Sequence, residues 1–115
     1  MSEENQIVIP PSFIALFVPP GRLRPTESRA HIAERYELCE DFAQMLVETA
    51  TSKRFELGAD EADVLDRIAR GLAAPGSLLD TAEAGWVLSR LAELLGWPRR
   101  SGDYSGNGSG SGPAP

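Results

Sequence analysis

The chain has 115 residues, a net charge of −6 and a single cysteine. That length fits one domain of modest size. One cysteine excludes an intrachain disulfide and favours a reducing compartment, so we expect a cytoplasmic protein. The acidity is local, because residues 34–66 hold ten acidic side chains against three basic ones. A surface of this charge repels phosphate backbones, and we therefore expect no nucleic-acid partner.

The N-terminal region is dominated by a short apolar run between two proline pairs, PPSFIALFVPP over residues 10–20. The run is too short for a bilayer, which needs about 20 apolar residues, and the acidic start MSEENQ is unlike a secretory signal. No membrane partner is expected. Phe13, Leu16 and Phe17 fall on one helical face, and proline suits the first turn of a helix. This favours a short helix over residues 11–18, with an extended segment as the alternative.

The longest amphipathic pattern follows the loop after these prolines. Thr26 or Ser28 can cap its start, and Gly58 is predicted to cap its C-terminal end. Steps of three and four residues describe its apolar stripe, which consists of Ile32, Tyr36, Cys39, Ala43, Leu46 and Ala50 and is widened by Leu38, Phe42 and Met45. The pattern predicts one long helix with a broad buried face.

Two shorter amphipathic patterns come next. Asp60 with Asp63, and Asp80 with Glu83, have the spacing of capping pairs at helix starts. The apolar positions are Val64, Leu65, Ile68, Ala69 and Leu72 in the first pattern and Ala84, Val87, Leu88, Leu91, Leu94 and Leu95 in the second. Because only a short Pro-Gly turn joins the two patterns, an antiparallel helical pair is predicted.

The predicted fold class is all-α. It is a small helical bundle of one long helix, two shorter antiparallel helices and a short N-terminal helix or extended lid. Residues 1–9 are predicted to be flexible or extended, and residues 10–100 to form the helical domain. Residues 101–115 are rich in Gly, Ser and Pro and hold almost nothing to bury, so a disordered tail is predicted there.

Few residues of the sequence offer catalytic chemistry. The only histidine, His31, and the only cysteine, Cys39, are eight residues apart, or about 12 Å of helical rise, too far for a thiol–imidazole dyad. Lys53 is the only lysine and has no glycine-rich phosphate loop around it. Glu27, His31 and Glu34 share a face, but one histidine cannot supply a di-metal bundle site. We therefore predict no catalytic, cofactor-binding or metal-binding residues and no enzyme.

The last helix carries a second stripe, from Trp86 to Trp97, that differs from its apolar face. Tryptophan and arginine in one stripe have the composition of an interface hot spot. The alternative is that the stripe covers the N-terminal apolar run and completes the core. On that alternative, the phenylalanines of the run pack against the two tryptophans. The candidate partner-binding or lid contacts are Phe13, Phe17, Trp86, Arg90 and Trp97.

Residues 9–17, IPPSFIALF, and residues 29–49, with RYELCED at 35–41, resemble a family of small uncharacterised proteins from proteobacteria. The likeness covers roughly the first half of the chain. Members often carry the label "ATPase with chaperone activity", so the resemblance implies a chaperone-associated component. The nucleotide-binding residues that this label requires have no counterpart here, and no site residues carry over from the family.

Three functions remain open from the sequence. The favoured one is a non-enzymatic protein-interaction or regulatory module, with a protein partner of unknown identity and an oligomeric state that the sequence does not give. The second is a small-molecule or metal-binding helical protein with a pocket between the N-terminal segment and the last helix. The third is the chaperone-associated component that the resemblance implies.

Overall fold

The computed structural model of the protein describes residues 8–98. Within that range the chain forms the helices α1 (Pro11–Ile14), α2 (Arg29–Leu57), α3 (Glu61–Leu72) and α4 (Thr81–Leu95), and a 3₁₀ turn, Ala15–Phe17, continues α1. None of residues 8–98 is in a β-strand, so the prediction of an all-helical bundle is confirmed. The predicted tail at 101–115, and all of the predicted N-terminal extension except its last two residues, lie outside the described range.

The N-terminal segment, residues 9–20, is helical where the proline pattern predicts a helix. The Pro10 carbonyl accepts hydrogen bonds from the backbone N–H of Phe13 at 2.9 Å and of Ile14 at 3.2 Å. Proline fits at the first position because its missing N–H is not needed there. The α-helical part is one turn, and the backbone becomes extended at Val18. The predicted helix over 11–18 is therefore present as a short α-helix followed by a 3₁₀ turn.

The start of α2 is set by Ser28, whose Oγ accepts a hydrogen bond from the His31 N–H at 3.1 Å. Thr26, the other candidate cap, contacts the N-terminal segment instead. Its N–H and its hydroxyl both donate to the Phe17 carbonyl, at 2.9 and 3.3 Å. At the other end, Gly58 adopts φ +64°, a conformation that side chains disfavour, and closes α2 as predicted.

The two shorter helices begin at the predicted aspartates. The Asp60 side chain accepts from the Asp63 N–H at 2.8 Å, and α3 follows. Asp80 and Glu83 form a reciprocal capping box at the start of α4, with both hydrogen bonds in place at 2.8 and 3.0 Å. Both caps satisfy backbone N–H groups that would otherwise lack partners.

Helices α2 and α4 run parallel, because two interhelical ion pairs occur in the same order along both. Arg35 near the start of α2 pairs with Glu83 at the start of α4. One to two turns later, Glu40 of α2 pairs with Arg90 of α4. The long connection that this requires is supplied by α3 and its two flanking loops.

Helix α3 runs in the opposite direction. Val64, near its start, packs in a cluster with Leu91 from the later part of α4. Leu72, at its end, packs in a cluster with Ala84 from the first turn of α4. The predicted antiparallel arrangement of α3 and α4 is therefore observed.

The core consists of two adjoining clusters. One contains Ile9, Phe13, Ile32, Cys39, Ala43, Leu72, Leu79, Ala84 and Val87, and the other contains Ala50, Val64, Leu65, Leu88, Leu91 and Ala92. Met45, predicted to widen the buried stripe of α2, is 60 % exposed. It stands two residues, or about 200° of rotation, from the buried Ala43, which directs it away from the core. None of the helices within residues 8–98 is both long and apolar enough to cross a bilayer.

Candidate functional site

An aromatic cluster fixes the N-terminal segment to the bundle. Phe13 is fully buried, and its ring centroid lies 5.1 Å from that of Trp86, in an edge-to-face arrangement, and 5.6 Å from that of Tyr36. The Trp86 indole N–H donates a hydrogen bond to the Ser12 hydroxyl at 3.0 Å. Edge-to-face aromatic pairs contribute about 0.5–1.5 kcal/mol beyond their area burial. Two of the candidate contacts, Phe13 and Trp86, therefore meet inside the fold.

The other two aromatic candidates do not meet each other. Phe17 packs on Phe13, with centroids 5.5 Å apart, and on His31, at 6.1 Å. Trp97 packs against the second core cluster. It lies beyond α4, which ends at Leu95 and is capped by Gly96. Phe13 and Phe17 pack in the first core cluster, so the expected packing of the phenylalanines against Trp97 is not observed.

Arg90 is held by carboxylates of this chain. Its Nε and Nη2 donate to Glu40 at 2.9 and 3.0 Å in a two-pronged pair, and its Nη1 donates to Glu93 at 3.2 Å. These hydrogen bonds raise the pKa of Arg90 and lower the pKa of the Glu40 carboxyl. Arg90 therefore joins α4 to α2 within the fold, although arginine is also a residue type that is frequent in interface hot spots.

A second ion pair, between Arg35 and Glu83, is the most deeply buried charge in the described part of the chain. Glu83 is only 2 % exposed, and its two carboxylate oxygens accept from Arg35 Nε at 2.7 Å and Nη2 at 2.6 Å. Arg35 Nη2 also donates to the Leu78 carbonyl at 2.9 Å. The hydrogen bonds from Arg35 are the main cause of the lowered pKa of Glu83. The sequence places Glu83 in a capping box, but gives no signal for a partner 48 residues away.

A cleft of about 740 Å³ opens beside this ion pair. One wall is apolar and comes from residues 16–20 of the N-terminal segment. The loop before α4, at residues 77–80, also lines it, together with Arg35 and Glu83. Glu27 and His31 line it near the start of α2. The cleft thus combines apolar side chains with a few charged ones.

A smaller cleft of about 560 Å³ lies along the same segment. Its lining includes Tyr36, Trp86 and Pro10, together with Arg90 and Glu93. The indole N–H and the Arg90 guanidinium are both engaged with groups of this chain, as described above. This cleft is therefore the outer surface of the aromatic cluster.

Cys39 is a core residue without nucleophilic character. It is fully buried, and burial raises the pKa of its thiol to about 12. The thiolate, which is the reactive form, is therefore scarce near neutral pH. His31 is exposed in the first turn of α2. Within residues 8–98, no three His, Cys, Asp or Glu side chains are grouped closely enough to hold a metal ion.

The largest exposed apolar side chains are at positions that the sequence analysis did not select. Leu23 is 96 % exposed in the loop before α2, and Phe55 is 89 % exposed in the last turn of α2. A signal for each was available. Leu23 stands alone between Arg22 and Arg24 in a proline-rich loop, and Phe55 falls outside the buried stripe of α2.

The chain was compared with known proteins at the levels of sequence and fold. No family model, curated protein or solved structure matches it.

Proposed function

We propose that this chain is a non-enzymatic protein-interaction or regulatory module. The observation that carries the proposal is the exposure of Leu23, at 96 %, and of Phe55, at 89 %, each close to charged side chains. Single exposed apolar residues are common, but a Phe and a Leu this exposed, each beside charged side chains, suit contact with a partner. Aromatic anchors of this kind carry much of the energy of protein–protein contacts.

The distribution of charged partners supports the same proposal. Arg35 with Glu83, and Arg90 with Glu40, hold α4 on α2, and their hydrogen-bonding groups are largely used within the fold. Within residues 8–98, no such ion pair involves Arg22 or Arg24 beside Leu23, or Asp41 or Glu48 of α2. Exposed charges of this kind can steer a complementary partner and set its orientation.

The proposal includes a location in the bacterial cytoplasm. A single cysteine suits a reducing compartment. The resemblance of the first half of the chain to proteobacterial proteins points to the same setting. Both are supporting arguments from the sequence, and fractionation of cells that express the full chain tests them.

Site-specific photo-cross-linking tests the proposed interaction. A benzophenone amino acid is placed at Leu23, at Phe55 or at the exposed control position Ala73 in the α3–α4 loop, in the full-length chain. We expect discrete adducts from Leu23 or Phe55 and none from Ala73 after irradiation of cells. Equal labelling at all three positions, or no adduct at any, contradicts the proposal.

The cleft beside Arg35 and Glu83 favours a second candidate, a small-molecule-binding protein. Its volume of about 740 Å³ and its apolar residues at 16–20 offer space and apolar surface for a small molecule. A thermal-shift screen of metals, nucleotides and small organic molecules tests this, with Leu78→Trp at the rim as a variant that fills the opening. A ligand that stabilises the wild type but not the variant supports the candidate. A nucleotide among the hits supports the chaperone-associated role instead.

A further inference from the structure

The loop before α2 presents a pre-formed basic knob, defined as Arg22, Leu23 and Arg24. A tight turn precedes it, with the Arg22 N–H donating to the Pro19 carbonyl at 3.0 Å and Gly21 at φ +79°. This geometry requires a positive φ at the third turn position, which glycine supplies. The two hydrogen bonds from Thr26 to the N-terminal segment close the loop on its other side. The knob is therefore held in place although all of its side chains are exposed.

Helix α2 presents a complementary surface, its outer stripe. The members are Asp41, Met45, Glu48, Ser52 and Phe55. Steps of four, three, four and three residues put them on one side of the helix. All five are exposed, whereas the buried stripe of α2 faces the bundle. The outer stripe contains two acidic and two large apolar side chains, and its acidic members are the charge complement of the arginines of the knob.

The charged members of both surfaces are available. Within the described part of the chain, Arg22, Arg24, Asp41 and Glu48 make no side-chain ion pair or hydrogen bond. Leu23 and Phe55 are the two most exposed large apolar residues in that range. Two surfaces with opposite charge and unburied apolar centres are complementary in the sense that partner surfaces are.

The knob does not reach the apolar part of the outer stripe of its own chain. Leu23 lies six positions before Arg29, and an extended chain of that length spans about 20 Å at most. From Arg29 at the start of α2, the helical rise is about 24 Å to Met45 and about 39 Å to Phe55. The apolar members of the stripe therefore lie beyond the reach of the knob in the same molecule, whereas a second copy can bring the two surfaces together.

We propose that the partner of these surfaces is a second copy of this chain, bound head to tail. This inference rests on the proposed function, because it names the partner of the same two exposed surfaces. Leu23 of one copy packs between Met45 and Phe55 of the next, and the flanking arginines pair with Asp41 and Glu48. Such a contact joins two different surfaces. In a dimer, one copy therefore keeps a free knob and the other a free stripe, and further copies can add at both ends.

The contact is expected to be weak and sensitive to salt. A three-residue knob buries less than the roughly 800 Å² per partner that a stable interface of standard size needs. Its ion pairs are exposed, so shortening the Debye length from about 30 Å at 0.01 M salt to about 3 Å at 1 M removes most of their attraction.

Analytical ultracentrifugation of the full chain tests the inference. Between concentrations of about 10 μM and about 1 mM at low salt, we expect the weight-average mass to rise beyond that of two chains, and high salt to reverse the rise. Leu23→Ser and Met45→Lys, each at an exposed site, should both stay monomeric. Leu78→Ser, which removes an exposed leucine from another surface, should associate like the wild type.

Mixing the two defective variants is the decisive measurement. Leu23→Ser keeps its stripe and Met45→Lys keeps its knob, so an equimolar mixture should form one-to-one heterodimers that grow no further. A mixture that stays monomeric, or a wild type that stops at a symmetric dimer, overturns the head-to-tail contact. A monomeric wild type that still yields cross-links to another protein overturns this inference and leaves the proposed function standing. A monomeric wild type with no cross-links overturns both.

Discussion

The two ends of α2 belong to one continuous helix but differ in what surrounds them. The N-terminal half contributes Cys39 and Ala43, both fully buried, and is joined to α4 by ion pairs at Arg35 and Glu40. The last seven residues, 51–57, are all exposed. Their one ion pair to another helix, between Arg54 and Glu61, has an N–O distance of 3.8 Å at the surface.

This difference shows which interactions keep each end helical. Small buried side chains at Cys39, Ala43 and Ala50 let the neighbouring helices approach α2 closely, so the N-terminal part is stabilised by tertiary packing. The C-terminal end extends past the packed region and depends on its own backbone hydrogen bonds and on the cap at Gly58. The N-terminal part of α2 therefore carries most of its stabilising contacts, and the C-terminal end carries most of its exposed surface.

The largest expected effect comes from removing a buried aromatic ring beside the first half of α2. Phe13→Ala should lower the free energy of unfolding by about 3–5 kcal/mol, because the ring is fully buried and its loss leaves a cavity. Phe55→Ala removes the same ring from the exposed end and should change stability by less than about 0.5 kcal/mol. Urea denaturation followed by circular dichroism measures both.

The comparison between the two phenylalanines also separates two roles of the N-terminal segment. If the segment is an integral part of the core, Phe13→Ala weakens the whole cooperative transition. An equal effect of the two substitutions, or a transition that Phe13→Ala leaves unchanged, would show that the segment docks on a bundle that is stable without it.

The next largest effect is expected at the buried ion pair. Glu83→Gln removes the charge that compensates Arg35, and breaking a buried pair from one side typically costs about 3–5 kcal/mol. We expect about 3 kcal/mol, because Arg35 keeps its hydrogen bond to the Leu78 carbonyl. Glu93→Gln is the matched control on the same helix. It removes an exposed carboxylate and should cost less than about 0.5 kcal/mol.

The stability of the fold should also depend on pH through Glu83. The pKa of Glu83 is lower in the folded state than in the unfolded chain, because Arg35 donates hydrogen bonds to it. Its stabilising contribution is therefore complete above the ordinary carboxyl range near about pH 4.3, and is lost as the pH falls below that range. Glu83→Gln should lose less stability than the wild type on acidification. Some dependence should remain, because Arg90 also lowers the pKa of Glu40. If the free energy of unfolding falls equally with pH in the wild type and in Glu83→Gln, Glu83 is not the source of this pH dependence.

Much of the fold follows from local features of the sequence. The capping residues Ser28, Asp60 and Asp80 mark the helix starts, and Gly58 and Gly96 mark two of the ends, because each supplies a backbone conformation or a hydrogen bond that a helix terminus needs. The periodicity of the apolar residues predicts the buried stripe. These signals depend only on residues within about four positions of one another.

The candidate site could be predicted less well, because it depends on contacts between distant residues. The pairing of Arg35 with Glu83 joins residues 48 positions apart, and no local pattern indicates it. The broad buried stripe predicted for α2 includes Met45 because its neighbours are apolar, but the helical rotation directs Met45 outward. The packing of Phe13 on Trp86 follows from their size and apolar character, whereas Trp97 lies beyond the end of α4 and packs on the second core cluster.

A smaller effect should appear at the cap of the exposed end. Gly58→Ala places a Cβ on a residue at φ +64° and should destabilise the fold by about 1 kcal/mol. Gly71→Ala makes the same chemical change inside α3, where the backbone is helical and no atom lies near the new Cβ, and should stabilise by about 0.5–1 kcal/mol. Thermal unfolding of both variants measures the two effects. Shifts of the same sign would show that backbone conformation does not control these positions.

The smallest effect is expected at the surface ion pair of the exposed end. Glu61→Gln should cost about 0.5 kcal/mol, of which part is the loss of a favourable charge in the first turn of α3 and not of the contact with Arg54. A double-mutant cycle with Arg54→Gln separates the two contributions. Its coupling energy should be near zero, whereas the equivalent cycle for Arg35 and Glu83 should give a coupling well above about 1 kcal/mol. Similar coupling energies would mean that solvent exposure does not distinguish the two ends of α2, because screening by water is the reason for the expected difference.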